Sequence, residues 1–137
     1  MEIIDSKDIV AAIIVRDDEV LICQRAEDTS FPLKWEFPGG KVEDGEEPRE
    51  ALQRELVEEL AIDADIGDEI LAYDFTYPNG VTVDLQFYLV KNFVPDPMNL
   101  EFNAIAWVSI EDLDAYDFLE GDRSIINYLQ FSDIDIF

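Results

Sequence analysis

The sequence predicts a mixed α/β domain, with a mixed sheet flanked by helices. Three observations carry this expectation. Alternating or continuous apolar runs punctuated by turn residues recur on both sides of residues 48–61. That central stretch has helical periodicity instead. The 137-residue length suits one domain, 1–137, since single domains cluster at about 100–150 residues.

In chain order, Ile9 to Arg16 and Val20 to Arg25 read as strands joined at Asp17-Asp18-Glu19, a hairpin. Ala26 to Lys34 is a polar loop, and Trp35 to Phe37 a short extended stretch ended by Pro38-Gly39-Gly40. Pro48 suits a first helical turn, and Leu52, Leu56 and Leu60 recur at i, i+4 and i+8, so a helix should end near Leu60 or Ala61. Ile70 to Tyr77 and Val81 to Val90 are strands joined at Pro78-Asn79-Gly80. A loop with Pro95 and Pro97 precedes a short strand, Ile105 to Val108. The last helix runs from Asp122, as N-cap, to Leu129.

Composition excludes several classes of function. The chain carries 33 Asp and Glu against 9 Lys and Arg, a formal net charge of −24. That field repels phosphate backbones and anionic membranes, which argues against a nucleic-acid polymer or a membrane as partner. At 48% hydrophobic and 12% aromatic residues, the chain is too apolar for a disordered acidic tail. The lone cysteine, Cys23, suits a reducing, cytoplasmic compartment, and the acidic start MEIIDSKDIV lacks the features of a signal peptide. With no histidine in the chain, acid–base and metal chemistry fall to carboxylates.

Those carboxylates cluster. At about 100° per residue, Glu55, Glu58 and Glu59 share one arc of the central helix, beside the leucine arc. Three like charges so close cost helix stability unless a cation offsets them, and hard oxygen donors are what Mg²⁺ takes. Taken alone, the cluster also fits a solvated acidic face. The glycines upstream, Gly39, Gly40 and Gly45, would let backbone approach a ligand closely, with the cation Lys41 among them. Arg54 could fix a glutamate through its fork of donors.

The segment from Gly40 to Ile62 resembles the Nudix box, G-x5-E-x7-R-E-U-x-E-E-x-G-U, with U aliphatic. Gly40, Glu46, Arg54, Glu55, Leu56, Glu58, Glu59 and Ile62 match; Ala61 stands where the family usually has glycine. Trp35 to Lys41, with Arg25 before it, is similar to the MutT-like branch, the nucleoside triphosphate pyrophosphohydrolases. The resemblance implies a Nudix-type α/β/α sandwich and a small-molecule nucleotide substrate. It implies Mg²⁺, with Mn²⁺ as a substitute, held by Glu55, Glu58, Glu59 and the Gly39 carbonyl. Arg54 would orient Glu55, and Glu46 would support the loop. Arg25 and Lys41 would neutralise phosphate. Glu101, six residues before Trp107, would be a further metal ligand or the general base, in competition with Glu55.

The implied reaction is attack of water on the β-phosphorus of a nucleoside triphosphate, giving NMP and pyrophosphate. Phe37 and Asp122 would read the base: an ionised Asp122 suits the amino group of cytosine, a protonated one admits an oxidised purine. The expected substrate is thus an oxidised or modified dNTP such as 8-oxo-dGTP, or a CTP-like one. ADP-ribose or another nucleoside-diphosphate-X compound, and a non-catalytic nucleotide sensor, are the alternatives. Family analogy allows a monomer or a homodimer. At Ala61, glycine's usual role is a left-handed helix end, so alanine should cost roughly 1 kcal/mol there.

Overall fold

A computed structural model of the chain describes residues 6–132 and 135–137. Residues 1–5 of the acidic start, and residues 133–134, lie outside them. The strands are β1 (Ser6–Arg16), β2 (Glu19–Gln24), β3 (Trp35–Glu36), β4 (Gly39–Lys41), β5 (Asp63–Asp65), β6 (Glu69–Thr76), β7 (Thr82–Val90), β8 (Asn92–Val94) and β9 (Ala104–Ser109). The helices are α1 (Pro48–Leu60) and α2 (Arg123–Phe131).

β1 organises the fold because both of its faces are apolar. It runs parallel to β7 from Ser6↔Thr82 to Ile14↔Val90 and antiparallel to β2 and β4. Val10, Ala12 and Ile14 pack with Leu52, Leu56 and Leu60 of α1. The alternate set, Ala11, Ile13 and Val15, packs with Ile125, Ile126 and Leu129 of α2. The period of two thus puts one helix on each side of the sheet, the expected α/β/α sandwich.

The predicted hairpins form. Asp17 and Asp18 both take positive φ, 51° and 66°, as a two-residue hairpin turn requires. Gly80, at φ 90°, turns β6 into β7. Three features depart from the sequence reading. Gly39 and Gly40 are not mere punctuation but belong to β4, paired with Ala11 and Val10. A second, two-stranded sheet of β5 and β8 was not foreseen, nor were the 3-10 turns Ile110–Ala115 and Glu120–Asp122. Short elements with few residues leave little periodicity to read. Among the described residues no helix is long and apolar enough to cross a membrane.

Helix α1 ends where its leucine pattern ends. Ala61 caps it at φ 56°, ψ 36°, the left-handed region that favours glycine, with its N–H donating to the Val57 carbonyl (3.1 Å). Ala61→Gly should therefore stabilise the protein by roughly 1 kcal/mol in denaturant unfolding. An unchanged or lower stability would show that the strain is absorbed elsewhere.

Candidate active site

The acidic face of α1 is graded in depth, and Arg54 is its organiser. Glu47 N–H donates to Glu50 Oε1 (2.9 Å), closing the first helical turn. One turn on, the Arg54 guanidinium donates to both oxygens of Glu46 (2.8 and 3.0 Å), to Glu55 Oε1 (2.8 Å), to Glu58 Oε1 (3.0 Å) and to the Lys41 carbonyl (3.0 Å). It therefore gathers three glutamates, where the sequence suggested one. Glu46 also accepts from Glu43 N–H (2.9 Å), which ties the loop before α1 to the helix. These donors hold the Glu46 carboxyl below its ordinary value.

Glu58 is half exposed, Glu55 mostly covered, and Glu59 only 8% exposed. Glu59 Oε1 accepts a hydrogen bond from Gly39 N–H (3.0 Å), which draws β4 onto the helix. The glycines are required by this approach: a Cβ on Gly40 would collide with the Glu55 carboxylate, and one on Gly39 with the Val10 carbonyl. Burial first, then the charges of Glu55, Glu36 and Glu101, push the Glu59 carboxyl up to about 9. Burial also raises Glu55, against the pull of Arg54. Glu101 is exposed, on a loop fastened to the end of α1 by Leu100 N–H to the Glu59 carbonyl (3.0 Å) and Met98 N–H to the Leu60 carbonyl (2.8 Å). Its charge is felt at both Glu55 and Glu59.

Among the described residues, no three carboxylates are already closed into a metal cage. Bare carboxylates repel one another, and here each takes a local donor, from Arg54 or the Gly39 amide. The donor set nonetheless fits a hard divalent cation: all oxygen, crowded, and strained by its own charge.

A cleft of about 360 Å³ opens beside this cluster. Gly39, Gly40 and Glu59 line it, together with Phe37, Leu119 and Asp122. Phe37 is a core residue as well as a wall residue, 4% exposed and packed on Phe118 and Phe87. Asp122 precedes α2 at the N-cap position, yet its side chain makes no capping bond. The Phe37 backbone N–H serves its carboxylate instead. The turn carrying it is pinned to β3 by Leu119 N–H to the Trp35 carbonyl (3.0 Å) and to β6 by Tyr73 O–H to the Gly121 carbonyl (2.6 Å). Burial first, then the nearby Glu36 charge, raise Asp122 well above the ordinary carboxyl range.

A NUDIX domain model matches residues 6–129. The chain belongs to the Nudix hydrolases. An 8-oxo-dGTP diphosphatase of Haemophilus influenzae is 37% identical over 122 residues, covering 88% of this chain and 89% of that one. A CTP pyrophosphohydrolase of Escherichia coli is 36% identical over 119 residues, covering 87% of each. Among solved structures, the MutT protein of Methanosarcina mazei superimposes with a TM-score of 0.84 at 26% identity, over 93% of this chain and 94% of that one. The E. coli ORF135 protein gives 0.82 at 33% identity, over 93% and 90%. Nudix hydrolases generally need a divalent metal.

Within this Nudix chain the two cations assigned to phosphate are placed differently from one another. Arg25 lines the cleft, but its guanidinium bonds to Glu36 (3.1 and 3.3 Å) and Ser30. Lys41 is exposed on β4, outside the residues that line the cleft. Sequence reasoning missed Lys7, Glu36, Phe31 and Tyr77, all of which line the cleft. Lys7 was legible in principle, because it shares the β1 face of Ile9 and Ala11. The other three depend on how loops cross the sheet, which no local pattern encodes.

Proposed function

We propose that this Nudix hydrolase cleaves an oxidised or otherwise modified nucleoside triphosphate to NMP and pyrophosphate. The observation that carries the reading is that one cleft is lined both by Gly39, Gly40 and Glu59 of the carboxylate cluster and by the buried Asp122. The named relatives support it, one acting on 8-oxo-dGTP and one on CTP. In this reading Glu55, Glu58, Glu59, Glu101 and the Gly39 carbonyl hold Mg²⁺. Bound there, the ion supplies charge neutralisation at phosphate and a more acidic water.

The chain's own groups do the rest. Arg54 holds Glu55 and Glu58 in register. Glu55 or Glu101 takes the proton of the attacking water, with Glu55 favoured because burial raises its basicity. Lys41 and Arg25 meet the polyphosphate, and Arg25 must exchange its bond to Glu36 to do so. Burial raises the Asp122 carboxyl and so favours its protonated form, in which it would offer one donor and one acceptor to the base edge beside Phe37. A donor–acceptor pair suits an oxidised purine, whereas cytosine's amino group calls for an acceptor alone.

The test is a panel of 8-oxo-dGTP, dGTP, CTP, dCTP and ADP-ribose with Mg²⁺, scored by kcat/KM. 8-oxo-dGTP should be turned over fastest. A preference for CTP would reverse the assignment at Asp122, and a preference for ADP-ribose would reject the triphosphate reading.

A further inference from the structure

From the wall of the cleft we infer that Phe31, backed by Tyr77, is a base-stacking residue that sets affinity for the nucleotide; this rests on the nucleotide reading of the cleft. Residues 26–34, between β2 and β3, are read from sequence only as a polar loop, yet they are tightly held. Arg25 Nε donates to the Ser30 carbonyl (2.8 Å), Gln24 Nε2 to the Leu33 carbonyl (3.1 Å), and Leu33 N–H to the Arg25 carbonyl (3.1 Å). This bracing holds Phe31 at φ 51° and Leu33 at φ 62°. Bulky residues seldom adopt that conformation, and it persists only where the surroundings enforce it.

The result is an aromatic ring delivered to the cleft rather than to the core. Phe31 is 38% exposed and lines the cleft together with Tyr77 and Asp122. Its ring centroid lies 4.9 Å from that of Tyr77, which in turn meets Phe75 edge-on at 4.8 Å. Tyr77 also abuts the turn that carries Asp122: a Cβ on Gly121 would come within 2.6 Å of the Tyr77 hydroxyl. One aromatic wall therefore joins the loop, the β6–β7 hairpin and the base-reading turn. A flat apolar wall beside polar groups that read an edge is what a planar, hydrogen-bonding nucleobase requires. Phosphate and ribose gain nothing from it.

The experiment compares Phe31→Ala, Phe31→Leu and Phe31→Trp with the wild type, each checked for an unaltered thermal unfolding midpoint. The readouts are kcat and KM on the best triphosphate, and inhibition by ribose 5-triphosphate, which lacks a base. Stacking predicts that Ala and Leu raise KM about tenfold to a hundredfold, with kcat within about threefold, and that Trp restores KM. The inhibition constant of the base-free triphosphate should stay within about twofold of the wild-type value across the series. Unchanged KM in the Ala and Leu variants overturns the inference, as does an equal loss of affinity for the base-free compound, which would mark Phe31 as a loop-folding residue. If the wild type hydrolyses no nucleoside triphosphate, the inference falls together with the function beneath it; the other two results leave that function standing.

Discussion

Glu59→Gln is expected to keep the fold and to lower kcat at least about a hundredfold, because, with Mg²⁺ held as proposed, loss of one of the carboxylates holding it removes several kcal/mol of transition-state stabilisation. Both halves follow from the burial of this side chain against Gly39. Without a cation, Glu59 holds its proton to about pH 9, so a neutral amide of the same shape replaces a neutral acid. The stability of the metal-free protein shows the same effect from the other side. The folded pKa is raised above the ordinary 4.5, so the stabilisation is fully present below pH 4.5 and is lost as pH rises through about 9. The glutamine variant lacks that loss. Urea unfolding in EDTA should show the wild type weakening across this window more steeply than Glu59→Gln, by at most about 1.4 kcal/mol per pH unit, because the other raised carboxyls, Glu55 and Asp122, titrate in both. Equal slopes would mean that Glu59 is already ionised and satisfied in the metal-free fold.

In the same cleft, Asp122→Ala should reduce discrimination between 8-oxo-dGTP and dGTP by about fivefold to a hundredfold, the range for one good bidentate contact to a base. It also removes the acceptor facing the Phe37 N–H, a loss of about 1–3 kcal/mol in stability for a buried donor. Asp122→Asn should retain discrimination within about threefold, because the amide reproduces the donor and acceptor of a protonated carboxyl. The ratio of kcat/KM values for the two nucleotides measures both variants. If Asn behaves like Ala, Asp122 works as an anion, and the preference shifts toward a base presenting an amino group.

Much of this site is written locally in the chain. The leucine spacing of α1 places its glutamates without any knowledge of the sheet, because helix geometry alone converts i, i+3 and i+4 into one face. Ala61 is legible by another route: it stands where the Nudix box usually has glycine, and glycine at a helix end usually serves the left-handed conformation that Ala61 takes. What stayed hidden depends on packing between distant segments. The depth of Glu59 relative to Glu58 is set by how β4 closes over the helix, and β4 itself is only three residues long. Arg25 reads from sequence as a phosphate ligand, yet it spends its donors on Glu36 and Ser30, because Glu36 becomes its neighbour only when β3 pairs with β2. Asp122 reads equally well as a helix cap. Only the pinning of the 119–122 turn to Trp35 and Tyr73 turns its carboxyl inward.

The net charge of −24 gains a sharper meaning from this placement. A polyphosphate approaching such a surface is repelled unless the carboxylate cluster beside the cleft changes sign, so activity should depend steeply on the divalent cation. The most direct test is to follow products from the preferred triphosphate while Mg²⁺ is titrated into EDTA-treated protein. NMP and pyrophosphate should form in equal amounts, appearing only as Mg²⁺ is restored. Release of orthophosphate with NDP, or full turnover in EDTA, would contradict the proposed reaction.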